Sequence, residues 1–223
     1  MNTARGKPPA QRAGRPAPAR SAGSVDSRTP PPRPAAGGRH QVRIIGGAWK
    51  RSLLPVADRP GLRPTPDRVR ETLFNWLGQD LSGWRVLDAF AGSGALGFEA
   101  ASRGAASVLL LEQDPALVAL LNASRERLKA ATLRVQRQDA LAWMRGAPAA
   151  SLELVLLDPP FDSPLARPAL QAAARLLVPG GLAYLESGEP LPEAELPDGL
   201  SLWRQGRAGA VHHGLYLRAQ AAG

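Results

Sequence analysis

Residues 153–161 read ELVLLDPPF, and this stretch decides the fold of the chain. Its centre, 155–157, is apolar at every position, which is typical of a strand buried on both faces of a parallel sheet. The two prolines after Asp158 cannot continue a central strand, so the chain must leave the sheet there. Because ligands bind at the carboxyl ends of strands in open α/β sheets, the stretch predicts a binding edge.

The groups at this strand end suit methyl transfer to an exocyclic amino group. The nitrogen of such a group is a poor nucleophile, and hydrogen bonds accepted by the Asp158 carboxylate and the Pro159 carbonyl would orient it for attack. Phe161 is placed to stack on the face of the base. These three are the predicted catalytic residues. The alternative is an ordinary strand end followed by a Pro-Pro loop.

Residues 85–97, RVLDAFAGSGALG, carry a second signal. Gly92, Gly94 and Gly97 match G-x-G-x-x-G at a strand-to-helix turn, where glycine allows the backbone to approach a ligand. The next strand ends in Glu112, fifteen residues after Gly97, which suits an acid that binds ribose hydroxyls. Alone, the glycine pattern also marks dinucleotide-binding enzymes, and Glu112 has an alternative as a solvated acid after a buried strand.

Strand and helix alternate over residues 85–186, which predicts an α/β fold with a parallel sheet covered by helices on both faces. Pro179-Gly180-Gly181 reads as the end of a helix, with a fifth strand over Leu182–Glu186. Two closing strands near 200–205 and 211–218 are expected to form a hairpin that adds a reversed edge. The third predicted strand covers residues 132–136, and Asp139 follows it. This acid is placed either to receive an adenine amino group or to cap the next helix.

The segment before the glycine loop predicts a helix. Thr65 is expected as its N-cap and Pro66 as its first residue, followed by an apolar face at helical spacing. Arg68, Glu71 and Asn75 lie on another face, where they would either line a pocket or be ordinary exposed residues.

Residues 41–54, QVRIIGGAWKRSLL, have two β-rich halves around a Gly-Gly pair and predict a hairpin. Its basic and aromatic side chains suit contact with RNA backbone and bases. A structural hairpin with a solvated face is the alternative. The predicted RNA-binding residues are Arg43, Trp49, Lys50 and Arg51.

The 223-residue chain has a net charge of +9, concentrated at its start. Residues 1–40 hold eight basic residues against one acid and are rich in Pro, Gly and Ala, so we expect a disordered tail that either contacts phosphates or is a bystander. We expect 41–223 to be one catalytic domain, with 41–62 as a hairpin extension and 63–223 as its core.

Cysteine is absent, which excludes disulfides and thiolate chemistry. The sequence indicates no metal site, membrane span or secretory signal, and we expect a cytoplasmic protein.

The order D-x-F-x-G-x-G-x-x-G, strand-end Glu, and DPPF resembles S-adenosylmethionine-dependent methyltransferases of the amino-group type. The resemblance implies a Rossmann-like, seven-stranded class I sheet with a reversed C-terminal strand, and S-adenosylmethionine as cofactor. It places 88–97, which includes Asp88 and Phe90, around the methionine and ribose. It also places Glu112 on the ribose, Asp139 and Ala140 near the adenine, and 158–161 on the target.

RIIGGAWKRSLLP, PGLRPTPDRVRETLFNWL, ALGFEA and DPPF together resemble the bacterial 16S rRNA (guanine(966)-N(2))-methyltransferase family over residues 41–218. This implies a guanine N2 substrate in 16S ribosomal RNA, met within an assembling small subunit, and a monomeric enzyme. It also implies that Thr65, Arg68 and Glu71 flank the cofactor and target pocket. The long basic tail lies outside the family pattern, and His213 stands where the pattern has Tyr.

Three rival functions remain. An N6-adenine methyltransferase acting on DNA or RNA shares the chemistry, but a DNA enzyme of this kind normally needs a sizeable target-recognition region, and the motifs leave no room for one. A nicotinamide-dependent oxidoreductase explains the glycine loop but not DPPF. A non-enzymatic RNA-binding protein explains only the basic tail.

Overall fold

The structure, a computed structural model, describes residues 41–58, 65–161 and 163–220. The predicted tail over 1–40 lies outside these residues. The described elements all belong to one unit of the chain, residues 37–223. In chain order they are β1 (Gln41–Arg43), β2 (Leu53–Pro55), α1 (Asp67–Leu77), β3 (Arg85–Asp88), α2 (Ala95–Ser102), β4 (Ser107–Glu112), α3 (Pro115–Arg127), β5 (Leu133–Arg137), α4 (Ala140–Gly146), β6 (Leu152–Leu157), α5 (Ala166–Leu176), β7 (Leu177–Ser187), β8 (Leu200–Ala208) and β9 (Val211–Arg218).

Seven strands form one sheet in the order β5-β4-β3-β6-β7-β9-β8. The pairs from β5 to β7 are parallel, whereas β9 runs antiparallel to both β7 and β8. The predicted α/β sheet with a reversed C-terminal strand is therefore confirmed, as is the separate N-terminal hairpin of β1 and β2. The strand order reverses between β3 and β6, which is where such sheets bind ligands.

The central strands are buried on both faces, as the unbroken apolar run of β6 predicts. Residues 154–157 have no exposed surface, and their side chains alternate between two apolar clusters on opposite faces of the sheet. One cluster packs α1, α2 and the hairpin against the sheet, and the other packs α4 and α5. No helix in the described ranges is both long and apolar enough to cross a bilayer.

The predicted helix end at Pro179-Gly180-Gly181 is wrong. β7 begins at Leu177, directly after α5, and all three residues lie within it. Leu177 pairs with Leu152, and the register with β6 then shifts before Leu182 pairs with Leu154. This irregularity, with Gly180 at φ +78°, lets the strand include the Pro-Gly-Gly segment. The closing hairpin is confirmed, with β8 extending to Ala208.

A buried ionic cluster attaches the N-terminal hairpin to the sheet domain. Glu99 of α2 is fully buried and accepts hydrogen bonds from the backbone N–H groups of Ile45 (2.8 Å) and Gly46 (2.7 Å). Two buried arginines flank it, Arg103 at 2.7 Å and Arg70 of α1 at 3.5 Å. We call Glu99, Arg70 and Arg103 the anchor cluster. Because its carboxylate is matched by cations and N–H donors, the charges can be buried together.

Candidate active site

Asp158 lies immediately after β6, at the carboxyl edge of the sheet. The residue is half-buried, and its Oδ2 accepts a hydrogen bond from the Thr65 hydroxyl at 3.3 Å. The predicted N-cap role of Thr65 is wrong, because α1 begins at Asp67 behind Pro66 and has no side-chain cap. The buried Thr65 side chain instead turns toward Asp158, and Arg70 fixes its carbonyl at 3.3 Å.

A second acid that the sequence analysis did not single out lies beside Asp158. Glu186, near the end of β7, is 6% exposed, and its Oε1 accepts a hydrogen bond from the Tyr184 hydroxyl at 2.9 Å. Since β6 and β7 are parallel neighbours, their carboxyl ends meet at the same edge. The signal was available: Glu186 occupies the end of its strand as Asp88 and Glu112 do.

Burial and mutual repulsion raise the pKa of these acids. The pKa of Asp158 lies well above its ordinary value because of burial, then the charges of Glu186 and Asp88. Burial also raises the pKa of Glu186, against hydrogen bonds from Thr65 and Tyr184 that lower it. The pKa of Asp88 is raised to about 7, again chiefly by burial. Three acids at adjacent strand ends therefore resist simultaneous ionisation.

The DPPF turn presents its aromatic ring to solvent. Phe161 is 53% exposed, the highest value among the large apolar side chains of the described residues, whereas Pro159 is buried. The ring lies against Gly188 in the loop after β7, where a Cβ atom would come within 3.3 Å of it. An exposed ring held next to the acids has the geometry of a stacking platform.

The glycine loop packs tightly between β3 and α2. Asp88 is buried, and its Oδ2 accepts a hydrogen bond from the Gly97 N–H at 2.9 Å, so its observed contact is with the loop backbone. A Cβ at Gly97 would lie 2.7 Å from Leu110 and 2.9 Å from Asp88. Gly94 precedes α2 in a left-handed conformation with φ +78°. Phe90 is half-buried and packs against the core on the α4 and α5 side.

Glu112 joins the glycine loop to the end of β4. Its Oε2 accepts a hydrogen bond from the Gly92 N–H at 2.9 Å, and its Oε1 accepts two more from Gln113 and Asp114. A carboxylate oxygen has two lone pairs, so Oε2 retains one acceptor position. The acid is half-buried at the expected edge of the sheet.

Asp139 caps α4, as one of its two predicted roles required. Its Oδ1 accepts from the Ala142 N–H at 2.7 Å, and its Oδ2 accepts from the Gln113 side chain at 2.8 Å. Ala140, the first residue of the helix, is buried. Their predicted place near an adenine ring stays a prediction.

The predicted site residues Arg68 and Glu71 lie on the polar face of α1. Arg68, three residues after Thr65, is exposed. The pKa of His213 is lowered first by burial, then by the charge of His212, and then by the charge of Arg68. Glu71 is also exposed and lines a cavity of about 350 Å³ beside the hairpin turn. Further residues lining this cavity are Ile45, Gly46, Gly47, Lys50, Asn75, Gln79 and Arg103.

The predicted RNA-binding residues of the hairpin differ in their surroundings. Trp49 is half-buried and packs edge-to-face on Phe98 at 6.5 Å, and exposed Arg43 forms an ion pair with Asp67 at 3.0 Å. Lys50 and Arg51 are exposed. The structural alternative thus accounts for the contacts of Trp49 and Arg43, and Lys50 and Arg51 remain as candidates for contact with RNA.

Over the described ranges, no group of three or more His, Asp or Glu residues is arranged to hold a metal ion. His213 is buried between other rings instead, 5.5 Å from Trp76 and 6.3 Å from Tyr184, and its Nδ1 has no hydrogen-bond partner among the residues that the structure describes.

Comparison with known proteins gives a consistent result. A family model described as "Conserved hypothetical protein 95" matches residues 42–217. The Escherichia coli protein named ribosomal RNA small subunit methyltransferase D is 43% identical over 194 residues, which cover 83% of this chain and 94% of that protein. The Haemophilus influenzae protein of the same name is 38% identical over 181 residues, with coverage of 79% and 93%.

Solved structures agree with the sequence relatives. The structure of yhhF from Escherichia coli, assigned as a methyltransferase, is 39% identical and superposes with a TM-score of 0.71. The match covers 81% of this chain and 99% of that one.

Proposed function

Because this chain belongs to the family of ribosomal RNA small subunit methyltransferase D, we propose that it methylates the exocyclic N2 amino group of a guanine in 16S ribosomal RNA, with S-adenosylmethionine as methyl donor. The observation that carries the proposal is the arrangement at the end of β6, where the half-buried Asp158 and an exposed aromatic ring occupy the binding edge of the sheet. The family supports methyl transfer to ribosomal RNA, and the DPPF turn supports an amino group as the acceptor.

The residues around the glycine loop fit a nucleoside-bearing cofactor. Gly97 has no room for a side chain, so α2 lies as close to β3 and β4 as backbone allows. Glu112 keeps a free acceptor position on Oε2 next to the Gly92 backbone, which suits a ribose hydroxyl. S-adenosylmethionine, when bound, supplies an activated methyl group on a positively charged sulfur.

Asp158 orients and deprotonates the target in this proposal. Its ionised carboxylate accepts a hydrogen bond from the amino N–H, as does the carbonyl of Pro159, and this directs the nitrogen lone pair toward the methyl group. Positive charge develops on the nitrogen as the new C–N bond forms, and the carboxylate stabilises it and accepts the released proton. The hydrogen bond from Thr65 fixes the carboxyl group in place.

Phe161 binds the target base by stacking. A guanine inside a helix is inaccessible, so its base must leave the stack before it reaches Asp158. The exposed ring of Phe161 offers a surface that replaces part of the lost stacking, which is worth about 1–3 kcal/mol per base. Lys50 and Arg51, both exposed on the hairpin, are our candidates for contacts with RNA phosphates.

A substrate in ribosomal RNA implies a cytoplasmic enzyme, and we propose that it acts as a monomer on an assembling small subunit. The test compares 16S ribosomal RNA from cells with and without the gene, with methylated nucleotides mapped by mass spectrometry. Loss of one N2-methylguanine, restored by the purified protein with S-adenosylmethionine, is the expected result. An unchanged 16S methylation map, or the loss of a methyladenine instead, would overturn the proposal.

A further inference from the structure

Three carboxyl groups meet at the ends of three adjacent strands. Asp88 ends β3, Asp158 follows β6, and Glu186 lies one residue before the end of β7. Because these strands are neighbours in the sheet, in the order β3-β6-β7, their ends are side by side. Asp88 and Glu186 are 1% and 6% exposed, and in the described part of the chain none of the three forms an ion pair.

The remaining charged and titratable neighbours do not neutralise these acids. Tyr184, from β7, donates a hydrogen bond to Glu186, and its own pKa is raised by burial and by the charge of Glu186. From β9, His213 has a lowered pKa and is neutral at physiological pH. Arg68 of α1 is exposed and acts on His213, while Glu112 adds a further negative charge near Asp88.

Hydrogen bonds distinguish the two acids nearest the target. Glu186 accepts from the Tyr184 hydroxyl at 2.9 Å, whereas Asp158 accepts from the Thr65 hydroxyl at 3.3 Å, longer than an ordinary O–H···O hydrogen bond. The Thr65 hydroxyl has a single hydrogen and cannot donate to both acids at once. If one of the two carboxyl groups holds a proton, their charges no longer repel, and Glu186, which has the shorter hydrogen bond, is better able to carry the negative charge.

We propose that Glu186 is a positioning residue that keeps a proton on Asp158 in the free protein, and that binding of the cationic cofactor drives this proton off. The inference rests on the proposed function, since it takes S-adenosylmethionine as the ligand. In the step, the Asp158 O–H bond breaks, its electron pair stays on the carboxylate oxygen, and the proton passes to a solvent base. The positive charge of the ligand replaces the lost proton as the partner of the acids.

This coupling has a consequence for the order of events. A protonated Asp158 cannot accept both the amino hydrogen bond and the proton that leaves the amino group. The catalytic acceptor therefore forms only when the methyl donor is present. Glu186 acts through Asp158 and touches neither substrate.

Titration calorimetry of the full-length protein tests the proposal. S-adenosylmethionine is titrated in phosphate and in Tris, whose ionisation enthalpies differ, so the difference in binding enthalpy counts the protons released. For the wild type, we expect net proton release at neutral pH, because burial and the charge of Glu186 raise the pKa of Asp158 well above its ordinary value. S-adenosylhomocysteine, which lacks the sulfonium charge, should release far fewer.

The Glu186→Gln variant identifies the residue responsible. Glutamine keeps the volume and can still accept from Tyr184, but it removes the negative charge that raises the pKa of Asp158, so proton release should fall clearly below that of the wild type. The matched control Glu189→Gln, at an exposed glutamate in the following loop, should release as many protons as the wild type.

Each outcome decides the matter. Binding of S-adenosylmethionine without proton release in the wild type, or equal release in Glu186→Gln, would overturn this inference and leave the proposed function intact. Equal release with S-adenosylhomocysteine would overturn the role of the sulfonium charge. Failure of the wild type to bind S-adenosylmethionine would overturn the proposed function itself.

Discussion

The protein buries acidic side chains in two regions, and it treats them in opposite ways. In the anchor cluster, Glu99 is surrounded by two arginines and two backbone N–H groups. At the carboxyl edge of the sheet, Asp158 and Glu186 accept hydrogen bonds from hydroxyl groups, and neither forms an ion pair within the described residues. A buried acid matched by cations stabilises the fold, whereas buried acids that face one another raise each other's pKa and hold protons available for chemistry.

Breaking the anchor cluster should have the largest effect on stability. Glu99→Ala leaves Arg70 and Arg103 buried without their counter-charge, which lowers the free energy of unfolding by about 3–5 kcal/mol. Chemical denaturation followed by circular dichroism measures this. The control Glu126→Ala, on the exposed face of α3, should change it by less than about 0.5 kcal/mol. A small effect at Glu99 would mean that the cluster is not what attaches the hairpin.

The acids at the carboxyl edge should instead make the free energy of unfolding depend on pH. The pKa of Asp88 is about 7 in the folded protein and near its ordinary value of 3.8 in the unfolded chain. Between these values only the folded protein binds the proton, so the contribution of Asp88 to stability is fully present at low pH and is lost as pH rises from about 4 to 7, by up to about 4 kcal/mol. The variant Asp88→Asn, which can still accept from Gly97, should flatten this fall in urea titrations.

A matched carboxylate separates this effect from general charge changes. Asp80 is exposed, and the side chain and backbone of Ser82 lower its pKa, so Asp80→Asn should leave the slope between about pH 4 and 7 as it is in the wild type. An equal slope in wild type and Asp88→Asn would contradict the protonation of Asp88.

Tight packing around Gly97, which lies between the two regions, predicts a smaller loss of stability when it is disturbed. Gly97→Ala puts a Cβ against Leu110 and the Asp88 carboxyl group, and we expect it to destabilise the protein by about 1–3 kcal/mol and to weaken S-adenosylmethionine binding. Gly146→Ala is the control, since a Cβ there has no neighbour within 4 Å. Thermal unfolding and cofactor titration of both variants are the measurements. Equal behaviour of the two would mean that the glycine loop tolerates a side chain.

The exposed ion pair beside the anchor cluster should matter least. Arg43 and Asp67 have side chains 58% and 41% exposed, so water already screens their charges. Arg43→Ala should lower stability by less than about 1 kcal/mol in the same denaturation assay. A loss as large as that of Glu99→Ala would show that burial is not what separates the two interactions.

Much of the fold follows from local pattern. The apolar run of β6, the glycine turn after β3 and the acid after β4 each depend on a few neighbouring residues, and parallel pairing brings their ends together. The helix end predicted at Pro179-Gly180-Gly181 was wrong because β7 pairs with β6 on both sides of this segment, so the segment lies within the strand. The local sequence does not show this pairing. Thr65 failed as a cap for the same reason, since Asp158 lies far along the chain.

The missed residues depended on partners distant in sequence. Glu99 is the charged residue of helix α2, whose other residues are apolar or small, and Arg70 falls on the buried face of α1, so each was visible as a charge in a core position. The ion pair between them was not visible, because neither helix sequence indicates which other helix it packs against. Glu186 could have been found from its strand end, but its contact with Tyr184 required the structure.

Single-turnover methyl transfer to ribosomal RNA, at saturating S-adenosylmethionine, tests most directly the claim that the unpaired acids perform the chemistry. Asp158→Asn should lower the rate by about 10²–10⁴-fold, because the carboxylate is the acceptor for the amino group. Glu99→Gln, assayed below its unfolding temperature, should lower it by less than about tenfold, since the paired acid takes no part in the reaction. A rate for Asp158→Asn within a few-fold of wild type, or equal losses in the two variants, would contradict the account.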